Sequence, residues 1–553
     1  MRGVAYTSGR GIPYVQSSAG RHVKNLLSGF AVWLLLQTAA WAQSNKYAVI
    51  LSALGVETSY NSLTQAFAAV KSGDTIRLYP GVHQVVPGYT EGAHGIGDAP
   101  LKLWEKTNVT VVGVGSDVVI RGDGPGDFLL VRSCKNIVLE NLVFRGNKPE
   151  VSGSQLFAAV NFSGTNSNIR ISGCSFLDQG NHGVSHLWGD KTTRRVTISE
   201  CRFVVGGDLN VGGDIDGAAI SGIGSDWLVV NNRIESWARG VEIENSGTSV
   251  VENVSITGNI LSDIRNIGVM VFATSHDASK FINILISGNQ IRDTYSGTNT
   301  VNALPLQIGG GENITISRNL INGATSAGIY LMTTHSDIRN CIVAHNQVEN
   351  CGWRGIQVYG ADGYTCENVL IDGNYVAHCD HSGILARGRN LTIVNNILQN
   401  NSCAGGDVGA GIELNAGTEG AMVMGNRCWD NASAMQQDYG IWLHAGVSNA
   451  MLRDNWLLDN LVANLRDEST GSDSFGNRVS AVADTTYMEI NTSGGGIALT
   501  WPRSSLSYKV QAASNVLPLA WIDAPCSVSV VNDKNFTIVP AVYTGVLYRL
   551  QGE

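Results

Sequence analysis

Tyr359, Arg387, Glu413 and His444 follow one another at intervals of about 28 residues, and together they hold the groups an elimination reaction needs. To cleave a uronate-containing chain by β-elimination, a cation must neutralise the carboxylate so that the adjacent C–H becomes acidic. A base must then take that proton. Arg387 suits the first task, Tyr359 or His444 the second, and Glu413 can orient either base. Read without chemistry, the set is an Arg–Glu pair flanked by rings.

A second group is acidic. Asp214 and Asp216 sit in a glycine-rich insertion, Gly206-Gly207-Asp208 to Gly212-Gly213-Asp214, and Glu242 and Glu244 follow one unit later. Glycoside hydrolysis requires two carboxylates about 5–10 Å apart, and the same four side chains would hold a hard cation such as Ca2+. A solvated acidic loop is the bland alternative. His182 and His186, just upstream, are the nearest proton carriers.

Such residues do chemistry only if the chain brings them side by side, and the sequence contains the device for that. From about residue 137 to 460 a unit Φ-x-Φ-x-x-N-x-Φ (Φ apolar), followed by G-Φ-x-Φ, recurs with a mean period of about 28 residues. Its asparagine slot holds Asn232, Asn259, Asn289, Asn319, Asn346, Asn374, Asn396, Asn426 and Asn455, and upstream Cys201, Cys174 and Leu142. Alternating apolar residues over so short a span make strands, and each unit can bury its apolar side only by stacking on the next. The prediction is an all-β solenoid of about 12 coils. The slot asparagine is expected to occupy a left-handed bend and to hydrogen-bond its counterparts one rung away. Most cysteines fall in repeat slots and read as buried fillers. Cys351 and Cys379, in one slot of neighbouring units, are the pair considered for a disulfide.

In a G-Φ-x-Φ-x strand the x residues point outward, one rung about every 4.8 Å. That stripe reads Ala219 and Ser221; Glu242 and Glu244; Met270 and Phe272; Gln307; Tyr330 and Met332; Gln357 and Tyr359; Leu385 and Arg387; Glu413 and Asn415; Trp442 and His444. Rings stack on sugar faces and amides read hydroxyls. Phe272, Gln307, Tyr330, Gln357, Asn415 and Trp442 are therefore the expected substrate-binding set around the catalytic four. No lysine occurs between Lys280 and Lys509, where an ordinary solvent face would carry several.

The run Ser72-Gly73-Asp74-Thr75-Ile76-Arg77-Leu78-Tyr79-Pro80-Gly81, preceded by a helix over Ser62–Val70, resembles the opening of right-handed parallel β-helix proteins of the pectate-lyase-like superfamily. The I-S-G-N and G-I-x-V phrases are similar to their coils. The resemblance covers roughly residues 45–465 and implies a right-handed parallel β-helix over residues 43–465, closed by the N-terminal helix. That fold hosts lyases, hydrolases, epimerases, adhesins and tailspikes, so it does not imply one reaction. The N-T-D, D-D and G-H-G phrases of polygalacturonases and the D-P-H phrase of mannuronan epimerases are not in the chain.

The flanks differ from the repeat. Residues 1–42 carry Arg2, Arg10, Arg21 and Lys24 without an acid, an apolar run from Leu26 to Ala39, and Ala40-Trp41-Ala42 as a cleavage site. A signal peptide is expected, and with it secretion to the periplasm, cell surface or medium with no membrane insertion after cleavage. Residues 466–553 are expected to form a linker and a small β-sandwich, with strands near Ile497–Trp501, Tyr508–Ala512, Ser527–Val531, Phe536–Val539 and Val546–Leu550. A net charge of −9, more acidic still without the basic leader, argues against nucleic acid as a partner. With 65 glycines, 11 prolines and 15% charged residues, the composition suits turn-rich rungs. The functional expectation is a monomeric secreted lyase acting on an acidic polysaccharide. A glycoside hydrolase using the four carboxylates, or a non-catalytic glycan-binding adhesin, are the alternatives.

Overall fold

The computed structural model describes residues 48–552, apart from 87–98, 123–125, 147–157, 187–192, 208–216, 246–249, 274–279, 296–302, 335, 362, 405–408, 433–435, 481–488 and six stretches of the tail (494–495, 503–507, 514–521, 524–528, 532–533 and 541–546). The leader expected at 1–42 lies outside these residues. Each coil contributes three short strands, and the coils stack in parallel register. On the first face the strands precede the asparagine slot, as in Lys280–Ser287, Gly311–Ser317 and Ile338–Ala344. On the second they follow it, as in Gln290–Thr294 and Leu320–Ala324. The third carries the G-Φ-x-Φ strands, such as Ile329–Met332, Ile356–Tyr359 and Ile384–Arg387.

The first face is a 17-stranded sheet, parallel except where the hairpin Ala48–Leu51/Glu57–Tyr60 joins it. The other two merge into a 27-stranded sheet, because Arg233–Asn245 and Ile260–Ala273 run unbroken from one face to the next. The helix spans Leu63–Ala69 with Ser62 as N-cap, and it buries Leu63, Ala66 and Phe67 against the first coils. Stacking continues through Asp473–Phe475 and Arg478–Ser480, past the boundary expected at 465. The asparagine slot persists there too, as Asn477. Beyond 489 the strands pair antiparallel, in one four-stranded and one three-stranded sheet. Among the described residues no helix is long and apolar enough to cross a membrane.

The apolar positions of the repeat form one continuous core. In its upper coils Phe144, Phe176 and Phe203 stack at centroid spacings of 5.2 and 4.6 Å, so the rung spacing itself sets the ring separation. Glycine opens most third-face strands, where the next rung leaves no room for a side chain. A Cβ on Gly355 would lie 2.2 Å from Val376 Cγ1 and 2.8 Å from the Gly383 carbonyl oxygen. The described cysteines are all unpaired. Cys351 and Cys379, the pair considered for a disulfide, are neighbours on successive rungs, and both thiols are free and buried.

The asparagine ladder runs as expected from Asn232 to Asn477. Each amide donates to a carbonyl of the preceding coil and to the next asparagine, as Asn346 does to Ile316 (3.0 Å) and Asn374 (3.0 Å). The left-handed bend, however, falls on the residue before the slot: Asn231, Arg318, His345, Asn395 and Asp454 have φ near +55°, and Gly258, Gly288 and Gly373 fill it elsewhere. The slot residue is buried and needs its amide. Its predecessor is at the corner and needs the conformation. An ordinary side chain in that conformation costs about 1–2 kcal/mol, so His345→Gly, at an exposed corner, is expected to stabilise the protein by about 1 kcal/mol in denaturant unfolding.

Candidate active site

Strand pairing on the third face aligns the predicted outward stripe rung by rung. Ser221, Glu242, Met270, Gln307, Tyr330, Gln357, Leu385, Glu413 and Trp442 form one column, which continues to Arg466. Glu244 with Phe272, and Met332 with Tyr359 and Arg387, belong to a second, and Asn415 and His444 follow on the next two rungs.

The two halves of this stripe differ. At the N-terminal end Asn161, Ser163, Ser221, Glu242 and Glu244 are buried although they point away from the core. Glu242 is ion-paired with Arg239 at 2.8 Å. Asp214 and Asp216 lie outside the described residues. The described half of the expected cation site thus has one carboxylate committed to a guanidinium, and among the described residues no three His, Cys, Asp or Glu side chains converge as metal ligands. His182 accepts the Ala218 backbone N–H at 3.0 Å through Nδ1, which is a structural use of the ring.

From Phe272 onward most of the stripe is half-exposed, although Gln357, Leu385 and Glu413 within it are buried. Its middle is an apolar floor separate from the core, formed by Ile267, Met270, Leu304 and Ala327 with Phe272, Tyr330 and Trp353 packed against them. Gln307 stands in register between Met270 and Tyr330.

Beyond that floor the charged residues gather. Arg387 Nη1 donates to Tyr359 Oη at 2.9 Å, its guanidinium 5.2 Å from the ring centre. Two rungs from Tyr359, Glu413 accepts from Ser382 Oγ (2.6 Å) and from His444 Nε2 (2.9 Å). Ser382 Oγ in turn accepts the Ala410 N–H at 3.1 Å, which directs its proton to the carboxylate. His444 stacks on Trp442 at 3.8 Å, and Arg466 covers Trp442 at 4.6 Å while donating to Tyr439 Oη at 2.7 Å. Asn415 turns its side-chain oxygen to the Ala416 N–H, at the rim. A cleft of about 230 Å³ opens beside Arg387, walled by Tyr364, Arg389 and the Gly360 and Gly417 turns.

Burial alone would raise the Glu413 carboxyl, but the hydrogen bonds from His444 and Ser382 and the charge of Arg354 outweigh it and hold the group below its ordinary value. With Glu413 ionised, a neutral His444 must carry its proton on Nε2. Its Nδ1 lone pair is then the free basic site of the ring. A carboxyl whose folded value is depressed adds stability that is complete above its unfolded value and is lost as pH falls through the folded one. Glu413→Gln is therefore expected to flatten the acid limb of stability below about pH 4.5, measured as urea midpoint against pH.

Sequence reasoning missed five groups of this site. Arg354 donates to Gln357 Oε1 at 3.3 Å and stacks on Trp353 at 4.1 Å. Burial lowers its affinity for the proton, yet an arginine stays charged, and its field reaches Glu413, Tyr330 and Tyr359. Arg354 and Ser382 both precede a repeat glycine, a position that also faces outward and that the G-Φ-x-Φ-x reading passed over. Tyr439 holds the same position two phrases after Ser382, and Trp353 precedes Arg354. Arg466 lies where the glycine phrase has disappeared from the sequence, so no motif marked it.

Among solved structures the chain is similar to the tailspike protein of E. coli bacteriophage HK620 in complex with pentasaccharide, at 12% identity over 88% of each chain with a TM-score of 0.48. It is also similar to the A-modules of two Azotobacter vinelandii mannuronan C-5 epimerases. AlgE6 matches at 14% identity over 75% of this chain and 92% of that one (TM-score 0.31), and AlgE4 at 16% over 76% and 94% (TM-score 0.32). The family model described as right-handed beta helix region matches residues 158–369 and 339–506. With its stacked three-strand coils and more than half its length matched, the chain belongs to the right-handed β-helix family.

Proposed function

We propose that this protein is an exported polysaccharide lyase that binds an acidic glycan along the open half of the third face and cleaves it by β-elimination at Tyr359. The observation that carries this reading is the 2.9 Å contact from Arg387 to the Tyr359 hydroxyl, with the Arg354 guanidinium on the same rung as Tyr359. A guanidinium that donates to the phenol oxygen holds it in place. Two guanidiniums beside it are what a uronate carboxylate needs to have its charge neutralised. Tyr359 then removes the proton α to that carboxylate, the α–β double bond forms, and the β C–O bond breaks. The departing glycosidic oxygen takes back the proton.

His444 stands three rungs from Tyr359, about 14 Å along the sheet, too far to act on the same bond. The Glu413–His444 pair belongs to the neighbouring sugar, against the Trp442 ring. A clear division of effects follows. Tyr359→Phe is expected to lower kcat by about a hundredfold or more, whereas His444→Ala is expected to act mainly on KM. Export rests on the charged leader, apolar run and Ala-Trp-Ala site of residues 1–42.

The test is incubation with a panel of uronate polymers, following the ultraviolet absorbance of the unsaturated product together with reducing ends. Both signals rising is the expected result. Reducing ends without absorbance would sink the lyase and favour hydrolysis by Glu242 and Glu244, two residues apart on one strand and about 7 Å from each other. No product from any glycan would favour an adhesin.

A further inference from the structure

The first face carries a column that the groove does not use. Reading outward positions by strand register, Arg170 is followed through Thr197 by Leu228, and the column then runs to Met451 and ends at Asp473. Between those two charges every residue is aliphatic, methionine, serine or threonine. Leu228, Leu285, Ile342, Met422 and Met451 are each between 36 and 39% exposed. On one side lies a row of asparagines bonded to each other, such as Asn283 to Asn253 and Asn313 to Asn283. On the other lies a row of small or hydroxyl residues, such as Thr257, Ser287 and Ala344, with Asp372 as its one acid up to Met424.

We propose that this face is the interface of a two-fold dimer, in which a second copy packs its own first face against it with the solenoid axes antiparallel. Two observations select that occupant. First, the column from Thr197 to Met451 carries no charge over nine rung steps, about 43 Å, and five of its side chains are apolar and more than a third exposed, while the charges of these strands, Asp226, Arg339 and Asp372 among them, stand to either side. Second, the terminal charges are self-complementary. Arg170 and Asp473 are each five rungs from the central residues Thr315 and Ile342. An antiparallel two-fold centred there sets Arg170 of one copy opposite Asp473 of the other at both ends. A parallel arrangement would oppose like charges. Arg170 also has Glu140 at 3.5 Å, an exposed pair that leaves it accessible.

Sedimentation of the full protein across a concentration series tests this. The expected species is a dimer. Leu285→Glu with Ile342→Glu should raise its dissociation constant about 100-fold or more, with thermal unfolding of the chain unchanged because both positions face solvent in the monomer. Arg170→Asp should weaken the dimer, and adding Asp473→Arg should restore it. A monomer at all concentrations, a dimer indifferent to the double glutamate, or a charge reversal that the second substitution does not rescue would each overturn the proposal. Lyase activity resides on the third face, so its presence or loss has no bearing on the dimer.

Discussion

Arg387→Ala should lower turnover on a uronate polymer by about a hundred- to ten-thousandfold. The range follows from two losses at once. The guanidinium that would neutralise the carboxylate disappears, and Tyr359 loses the donor at 2.9 Å that holds its hydroxyl. Arg387→Lys keeps the charge but gives up the planar fork, and it should recover only part of the activity. Folding should survive both substitutions. Arg387 is half-exposed at the end of Ile384–Arg387, and the backbone register to Tyr359 does not depend on its side chain. One part-buried hydrogen bond is worth about 1 kcal/mol. The measurements are steady-state rate by absorbance of the unsaturated product and thermal unfolding of the same samples. Full activity in Arg387→Ala would remove the site from Arg387 and Tyr359.

Asn346→Ala should cost stability on a different scale, about 3–9 kcal/mol in denaturant unfolding. Asn346 Oδ1 accepts both the backbone N–H and the side-chain amide of Asn319 at 3.0 Å, and its own amide donates to the Ile316 carbonyl at 3.0 Å. Truncation leaves those three buried groups unsatisfied, at about 1–3 kcal/mol each. The slot is buried between coils, so bulk water does not replace the lost partner. Because each coil of a solenoid contacts only its neighbours, the loss should loosen the middle of the stack more than its ends, visible as hydrogen exchange concentrated near residues 316–374. The outer ladder provides the contrast. Asn368 donates to Asn340 Oδ1 at 3.2 Å in an exposed row, and Asn340 has φ of +53°. Asn340→Gly keeps the conformation, leaves solvated groups, and should shift stability by less than about 1 kcal/mol.

These two residues show how unevenly the molecule was legible. Asn346 and its ladder could be read from the chain because a parallel stack turns a sequence period into a spatial one: residues about 28 apart become neighbours one rung apart. Even so, the bend assigned to the slot belongs to its predecessor. Periodicity marks that both positions are special without saying which carries the amide and which the conformation. For Glu413 the repeat gave the rung but not the contacts. Ser382 and His444 reach it from rungs on either side, and Ser382 lies outside the phrase used to pick outward residues.

What the sequence by itself determined is everything that repeats: the β-helix, its register, the asparagine ladder and the outward stripe on which Tyr359, Arg387, Glu413 and His444 stand. What only the tertiary structure decided is what does not repeat. Between Phe272 and His444 the stripe is half-exposed except at Gln357, Leu385 and Glu413, and around Glu242 and Glu244 it is buried. Arg354 turns toward Gln357 and Trp353, and Glu413 is held ionised in a buried site. The physical reason is that stacking fixes backbone positions rung by rung, whereas exposure and charge state depend on side-chain direction and on irregular turns, for which one coil carries no information about the next.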